Sequence, residues 1–237
     1  MVEGYEIYRR EEYFLLKEYF IFKGDVTIDD AGLVTCNGHV KLKRQNHQIS
    51  QLPVSFKEVF SFDCKRNKLE SLQGAPLTVI KDFMCPYNKL KSLQGAPRIV
   101  GLSFDCDNNK LESLQGAPES VGGHFGCINN KLTSLLGAPK TVGGNFLCYD
   151  NPLTTLEGLP TTIGGGLALS YHESLPLLRC LAAQKGVEFW KDGYRFRRSD
   201  AIKAEDIINR YAGQGRRAMF DCQKALEDAG CPENARW

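Results

Sequence analysis

The sequence predicts an α/β repeat solenoid, in which short parallel strands stack into a right-handed coil. The first observation is that five segments, starting at residues 62, 83, 104, 125 and 146, repeat one pattern at an interval of 21 residues. The second is that apolar residues occupy the same positions in every repeat, as stacked coils require. The third is that both flanking regions lack the pattern. We therefore expect an N-terminal cap at residues 1–45, the solenoid at 46–169 and an α-rich C-terminal module at 170–237.

Each repeat begins with Phe and Cys two positions apart, so both side chains point to one face of a short strand. Two leucines, three positions apart, follow and close the other side of the coil. One coil cannot bury this apolar face alone, but its neighbours can cover it. The cysteine column consists of Cys64, Cys85, Cys106, Cys127 and Cys148.

Asn, Pro and Gly residues also recur at the repeat interval. An Asn follows each strand, where its side chain can satisfy backbone groups at the bend. A Pro near the end of the repeat fixes φ on the returning arm. Glycine pairs at 122–123, 143–144 and 164–165 are expected to permit the turn into the next strand.

The flanks show other periodicities. Before the repeats, a helix is expected at about residues 8–19, followed by short strands separated by turns at Asp29–Gly32 and Asn37–Gly38. A degenerate coil is expected at residues 46–59, with Asn46, Ile49, Leu52, Pro53 and Val59 in repeat positions.

After the repeats, Ser174 is expected to cap a helix at Leu175–Lys185. A hairpin around Asp192-Gly193 and two helices, at about residues 201–211 and 216–229, complete the C-terminal module.

The pattern F-x-C-x-x-N-x-L-x-x-L resembles the core of the leucine-rich-repeat family, with Phe and Cys at two of its usual leucine positions. The following G-A-P resembles the short bacterial-type repeats of that family. The wording VGG-x-F-x-C, the segment 210–215 and the ending N-A-R-W look like repeat proteins of tailed bacteriophages. The resemblance covers about residues 41–169 and implies a non-enzymatic protein that binds a host protein, in anti-defence or host takeover.

Composition favours a soluble cytoplasmic protein. Thirty Lys and Arg against 28 Asp and Glu leave a net charge of +2, which gives no electrostatic argument for a dedicated nucleic-acid or membrane-surface protein. No apolar run approaches the ~18–20 residues of a membrane span. The nine cysteines are odd in number, and the N-terminus lacks a signal-peptide pattern, so a reducing cytosol is favoured.

No chemistry-bearing motif stands out, so we expect neither an enzyme nor a cofactor nor a metal. The cysteines lack C-x-x-C spacing and the four histidines do not follow the repeat. The repeated thiols are instead expected in the core, and only Cys231 is expected to be exposed.

The varied positions that flank Phe and Cys are the candidate partner-binding residues, because invariant columns serve folding and varied ones can specify a partner. They are expected on the concave sheet of the solenoid, with aromatic and apolar anchors for another protein. The candidates are Lys65, Arg66, Met84, Tyr87, Asp105, Asp107, Asn108, His124, Ile128, Asn129, Asn145, Leu147, Tyr149 and Asp150.

Two alternatives stay open. A nucleic-acid-associated protein could use basic residues of the C-terminal module, which also holds Trp190, Tyr194 and Tyr211. A hydrolase or ligase could lie within residues 170–237. The basic residues are Arg195, Arg197, Arg198, Lys203, Arg210, Arg216 and Arg217.

Overall fold

A computed structural model of the protein describes residues 16–44, 49–173, 175–195, 199–214 and 218–236. These residues form a parallel β-solenoid of about seven turns with few helices, so a repeat solenoid is confirmed. Residues 16–19 are helical, while most of the helix expected at 8–19 lies outside the described residues.

The first strands are β1 (Phe20–Lys23), β2 (Val26–Ile28), β3 (Val34–Leu42) and β4 (Phe56–Asp63). β1 and β2 pair antiparallel with β3, and β3 pairs parallel with β4. β3 is thus the first rung of the parallel stack, with Val40 opposite Phe62.

Each later coil contributes two strands of two or three residues, one more than the sequence predicts. The first half of β4 begins one parallel ladder and its second half begins the other. The first ladder is β5 (Thr78–Val79), β7 (Ile99–Val100), β9 (Ser120–Val121), β11 (Thr141–Val142) and β13 (Thr162–Ile163). The second is β6 (Phe83–Met84), β8 (Phe104–Asp105), β10 (Phe125–Gly126), β12 (Phe146–Leu147) and β14 (Leu167–Leu169).

The C-terminal module continues the second ladder before it becomes helical. A 3-10 helix at Leu177–Ala182 is followed by β15 (Val187–Lys191), which pairs parallel with β14. β15 and β16 (Tyr194–Arg195) form the expected hairpin, with Asp192 and Gly193 both at positive φ. Helices α1 (Ser199–Tyr211) and α2 (Ala218–Asp228) follow, as predicted.

The core consists of columns that run through the stack. The rings of Phe62, Phe83, Phe104, Phe125 and Phe146 stack with centroids 5.2–5.7 Å apart. The five repeat cysteines beside them are completely buried, as predicted, and burial raises the pKa of their thiols. The expectation that Cys231 is exposed is wrong, because its exposed fraction is only 7%.

The Asn column satisfies backbone groups at the bend, as predicted, and it also bonds one coil to the next. Asn130 illustrates it: Oδ1 accepts from the N–H of Leu111 at 3.0 Å, one coil earlier. Its Nδ2 donates to the carbonyl oxygens of Cys106 and Cys127 at 3.2 and 3.1 Å. The side chain therefore satisfies backbone groups of two coils at the bend.

Two local expectations are wrong, and a third is extended. The repeated glycine pairs lie at the bends before the next strand, as expected, and they also serve close packing between coils. A Cβ on Gly122 or Gly143 would lie 2.0 or 2.1 Å from the carbonyl oxygen of the preceding coil. Asn37–Gly38 is no turn, since β3 runs through it; the backbone around Gly24 crosses Gly38 too closely for any side chain there. The helix expected at Leu175–Lys185 is only the 3-10 helix after Pro176, and Ser174 lies outside the described residues.

Candidate functional site

The long sheet has one side turned away from the core, which we call the outer face. It is presented by the residues that flank the Phe and Cys columns. Strand pairing aligns one such row across the whole sheet. The row is Ile21, Lys41, Asp63, Met84, Asp105, Gly126, Leu147, Ala168 and Glu188.

A second row lies two positions further along each coil. It holds Lys65, Pro86, Asp107, Ile128 and Tyr149, each 21 residues after the last. At its end the Tyr149 ring stacks on Trp190 of β15, with centroids 5.4 Å apart and planes inclined by 21°. The two rows bring Met84, Asp105, Asp107, Ile128, Leu147 and Tyr149 together on one surface.

An acidic pair occupies the middle of the outer face. Asp105 Oδ1 accepts from the N–H of Asp107 at 2.9 Å, and Asp107 Oδ1 accepts from the N–H of Ile128 at 2.7 Å. The Asp107 carboxylate lies over Gly126, which has no side chain: a Cβ there would lie 2.8 Å from Asp107 Oδ1.

The electrostatics of this pair are unusual for surface carboxylates. Burial, and next the neighbouring Asp105, raise the pKa of Asp107 to about 7. Burial also raises the pKa of Asp105. Burial and the carboxylate of Asp107 raise the pKa of Tyr149 as well. The centre of the face is therefore a partly desolvated acidic site beside an aromatic platform.

The next column holds a strained backbone. Arg66, Tyr87, Asn108, Asn129 and Asp150 all have positive φ, between 51° and 58°. The first four donate their N–H to a carbonyl of the following coil at 2.8–3.1 Å, and Asp150 donates to Ser170 Oγ at 2.8 Å. Left-handed backbone is uncommon outside Gly and Asn, so the ladder bonds hold Arg66 and Tyr87 in a costly conformation.

Two predicted site residues carry structural bonds. His124 Nδ1 accepts from the N–H of Asn145 at 2.8 Å, and Asn145 Oδ1 accepts from the N–H of Gly166 at 2.9 Å. Both residues belong to the column that immediately precedes the repeated Phe. Asp82 belongs to the same column, and its Oδ1 accepts from the N–H of Ser103 at 3.1 Å. The column therefore fastens each coil to the next through its side chains.

Sequence reasoning missed the contribution of the C-terminal hairpin. Trp190 joins the face by stacking on Tyr149, and the N–H of Asp192 donates to Asp150 Oδ1 at 2.7 Å. These contacts link residues two coils apart, such as Asp150 and Asp192 at a separation of 42 positions. The hairpin does not keep the repeated residue pattern, so the repeat carries no signal for them. Lys65 contacts Asp63 at 3.3 Å and partly neutralises that end of the face.

The C-terminal basic residues do not form a clear cationic surface in the described part of the chain. The Arg195 guanidinium pairs with Glu188 at 2.6 Å and also with Glu205. Lys203 and Arg210 lie on α1, next to acidic residues of the same helix. The remaining predicted basic residues, Arg197, Arg198, Arg216 and Arg217, lie outside the described residues.

Within the described ranges, no group of three or more His, Cys, Asp and Glu side chains is arranged to hold a metal ion. None of the described helices has the length and apolarity needed to cross a membrane. Comparison with protein-family models, with curated proteins and with solved structures found no match.

Proposed function

We propose that the protein is a non-enzymatic binding protein that recognises another protein through its outer face. The observation that carries this proposal is the acidic pair of Asp105 and Asp107, partly desolvated and next to the stacked rings of Tyr149 and Trp190. Interfaces draw most of their energy from a few residues near their centre, among which Trp, Tyr and Arg are enriched.

The chemistry of this centre favours a cationic group on the partner. Two carboxylates that repel each other gain from an Arg or Lys brought between them, since an opposite charge favours their ionised forms. Tyr149, Trp190 and the half-exposed Tyr87 then supply apolar contact area around the ion pair.

The biological setting is part of the same proposal. The repeat pattern resembles leucine-rich repeats of the short bacterial and tailed-bacteriophage type. This supports a phage-encoded protein that acts in the host cytosol on a host protein, in anti-defence or host takeover. The nucleic-acid alternative is less supported, because Arg195 is already bound by two carboxylates.

Affinity purification from the bacterial host, followed by mass spectrometry, identifies a partner. Titration of the protein and its outer-face variants with the purified partner then tests whether the outer face binds it. We expect the double variant Asp105→Asn, Asp107→Asn to lose about tenfold in affinity, the effect of one charged contact. Tyr87→Ala with Tyr149→Ala is expected to weaken binding similarly. Lys110→Ala, outside the outer face, is the control. Unchanged affinity in both double variants would show that the partner binds elsewhere.

A further inference from the structure

A cleft of about 550 Å³, lined by apolar as well as polar residues, lies at the N-terminal end of the outer face, where the cap strands meet the first coil. Strand pairing places its side chains in a small grid. Lys23 is opposite His39, which is opposite Ser61, and Lys41 is opposite Asp63. Asp82 lies beside Ser61, since its carbonyl accepts from the N–H of Phe62. The size is within the range of small-molecule sites.

Ser61 differs from the other residues of its column in its hydrogen bonding. Asp82, Ser103, His124 and Asn145 each accept a hydrogen bond from the N–H one coil later. Ser61 belongs to the same column, yet its Oγ has no hydrogen-bond partner among the described residues, although the residue is only 9% exposed. A buried hydroxyl without a partner destabilises a fold, and Ser61 lines the cleft, so a ligand atom that reaches Oγ gains an unmade hydrogen bond.

The charges of the cleft are divided between its two sides. Lys23 and Lys41 are exposed on the cap side, and neither makes an ion pair within the described chain. On the coil side, Asp63 is occupied by Lys65, while Asp82 uses one oxygen on the N–H of Ser103. The polar groups left for a ligand are two ammonium groups, one hydroxyl, one carboxylate oxygen and the imidazole of His39.

We propose that this cleft binds a small phosphorylated polyol, such as a sugar phosphate. The phosphate is held by Lys23 and Lys41, as paired cations hold oxyanions. The sugar hydroxyls reach Ser61 Oγ and the second oxygen of Asp82, which is a hydrogen-bond acceptor. Among the described lining residues no Phe, Tyr or Trp ring faces the cleft, because Phe62 is completely buried in the core. The His39 imidazole is the one aromatic ring that these described lining residues offer to a nucleobase, which favours a sugar over a nucleotide.

Calorimetric titration of the full chain with glucose 6-phosphate, inorganic phosphate and glucose tests the site. We expect glucose 6-phosphate to bind about tenfold more tightly than inorganic phosphate, and glucose to bind more weakly than either. Absence of saturable glucose 6-phosphate binding up to about 10 mM, a very weak affinity on any scale, would overturn the proposal. Equal binding of inorganic phosphate and glucose 6-phosphate would overturn the assignment of a polyol.

Variants locate the ligand. The double variant Lys23→Gln, Lys41→Gln is expected to lose at least about tenfold in affinity for both phosphate compounds. Asp82→Asn keeps the Oδ1 that accepts from Ser103 and replaces the second acceptor oxygen with an Nδ2 donor. It should therefore weaken glucose 6-phosphate, whose hydroxyl donates to that oxygen, and not inorganic phosphate. Lys110→Gln is the matched control. Glucose 6-phosphate binding that survives the double lysine change would place the ligand elsewhere and overturn the proposal.

Discussion

The guanidinium carbon of Arg66 lies 4.8 Å from the centre of the Tyr87 ring, one coil away. Both residues have left-handed backbone, with φ of 55° and 58°. Their side chains meet because each occupies the same position of consecutive coils, and the ladder hydrogen bonds fix that position. The same backbone conformation recurs at Asn108, Asn129 and Asp150, so the bend after each strand is a built-in feature of the coil.

A β-branched residue in this column should destabilise the protein. We expect Asn129→Val to lower the free energy of unfolding by about 1–2 kcal/mol, because Val strongly disfavours positive φ. Asn129→Gly tolerates that φ and serves as the control. Both variants lose the 2.8 Å hydrogen bond from Asn129 Nδ2 to Asn108 Oδ1, so their difference reports the backbone alone. Equal denaturant midpoints for the two would contradict the left-handed assignment.

The repeat interval made the invariant columns predictable. A ladder places identical positions side by side, so Phe, Cys, Leu and Asn recur wherever the core or the bend demands them. The first ladder was less visible, because each of its strands has only two residues and joins a more exposed residue to a buried one, as in Thr78–Val79 and Ile99–Val100. The left-handed column had a partial signal in Asn108, Asn129 and Asp150, residue types that tolerate positive φ, but Arg66 and Tyr87 obscured it.

The candidate site was predictable only in part. The varied columns do place Asp105, Asp107 and Tyr149 on one face, because period-two alternation fixes the side of the sheet. The stacking of Trp190 on Tyr149 and the orphaned hydroxyl of Ser61 depend on how the two caps meet the solenoid. Neither cap follows the repeat, so sequence spacing carries no information about those contacts.

Truncation of a buried leucine should open a cavity in the middle of the stack. Leu111 is completely buried, and we expect Leu111→Ala to lower the free energy of unfolding by about 2–5 kcal/mol. Leu136, which is 46% exposed, provides the matched change Leu136→Ala. Urea denaturation followed by circular dichroism measures both. Similar losses in the two variants would be inconsistent with the columns described above.

The close approach of neighbouring coils can be tested at a glycine. A Cβ on Gly143 would lie 2.1 Å from the carbonyl oxygen of Gly122, so the coils must separate to admit it. We expect Gly143→Ala to cost about 2–4 kcal/mol of unfolding free energy, as overpacking against rigid backbone does. Gly166→Ala is the control, since its Cβ would be no closer than 3.7 Å to any neighbour. Thermal unfolding that leaves the Gly143 variant as stable as the Gly166 variant would argue against the rigid stacking.

The acidic pair gives the protein a pH-dependent stability. Burial and Asp105 raise the pKa of Asp107 to about 7, whereas an Asp in the unfolded chain titrates near its ordinary value of about 4. The folded state therefore holds this proton more tightly. The stabilisation that comes from this tighter proton binding at Asp107 is complete below about pH 4 and is lost as the pH rises through about 7.

Removal of the Asp107 charge should reverse that loss. Asp107→Asn keeps an oxygen that can accept from the N–H of Ile128, so the ladder bond is preserved. We expect the variant to be more stable than the unmodified protein by about 1–3 kcal/mol at pH 8, because one pKa unit corresponds to about 1.4 kcal/mol. The advantage should shrink steadily toward pH 4, where both side chains are neutral. Urea midpoints at each pH measure the difference in stability between the variant and the unmodified protein, with the exposed Glu112→Gln as control. A difference that stays constant across this pH range would mean that Asp107 ionises freely in the folded protein.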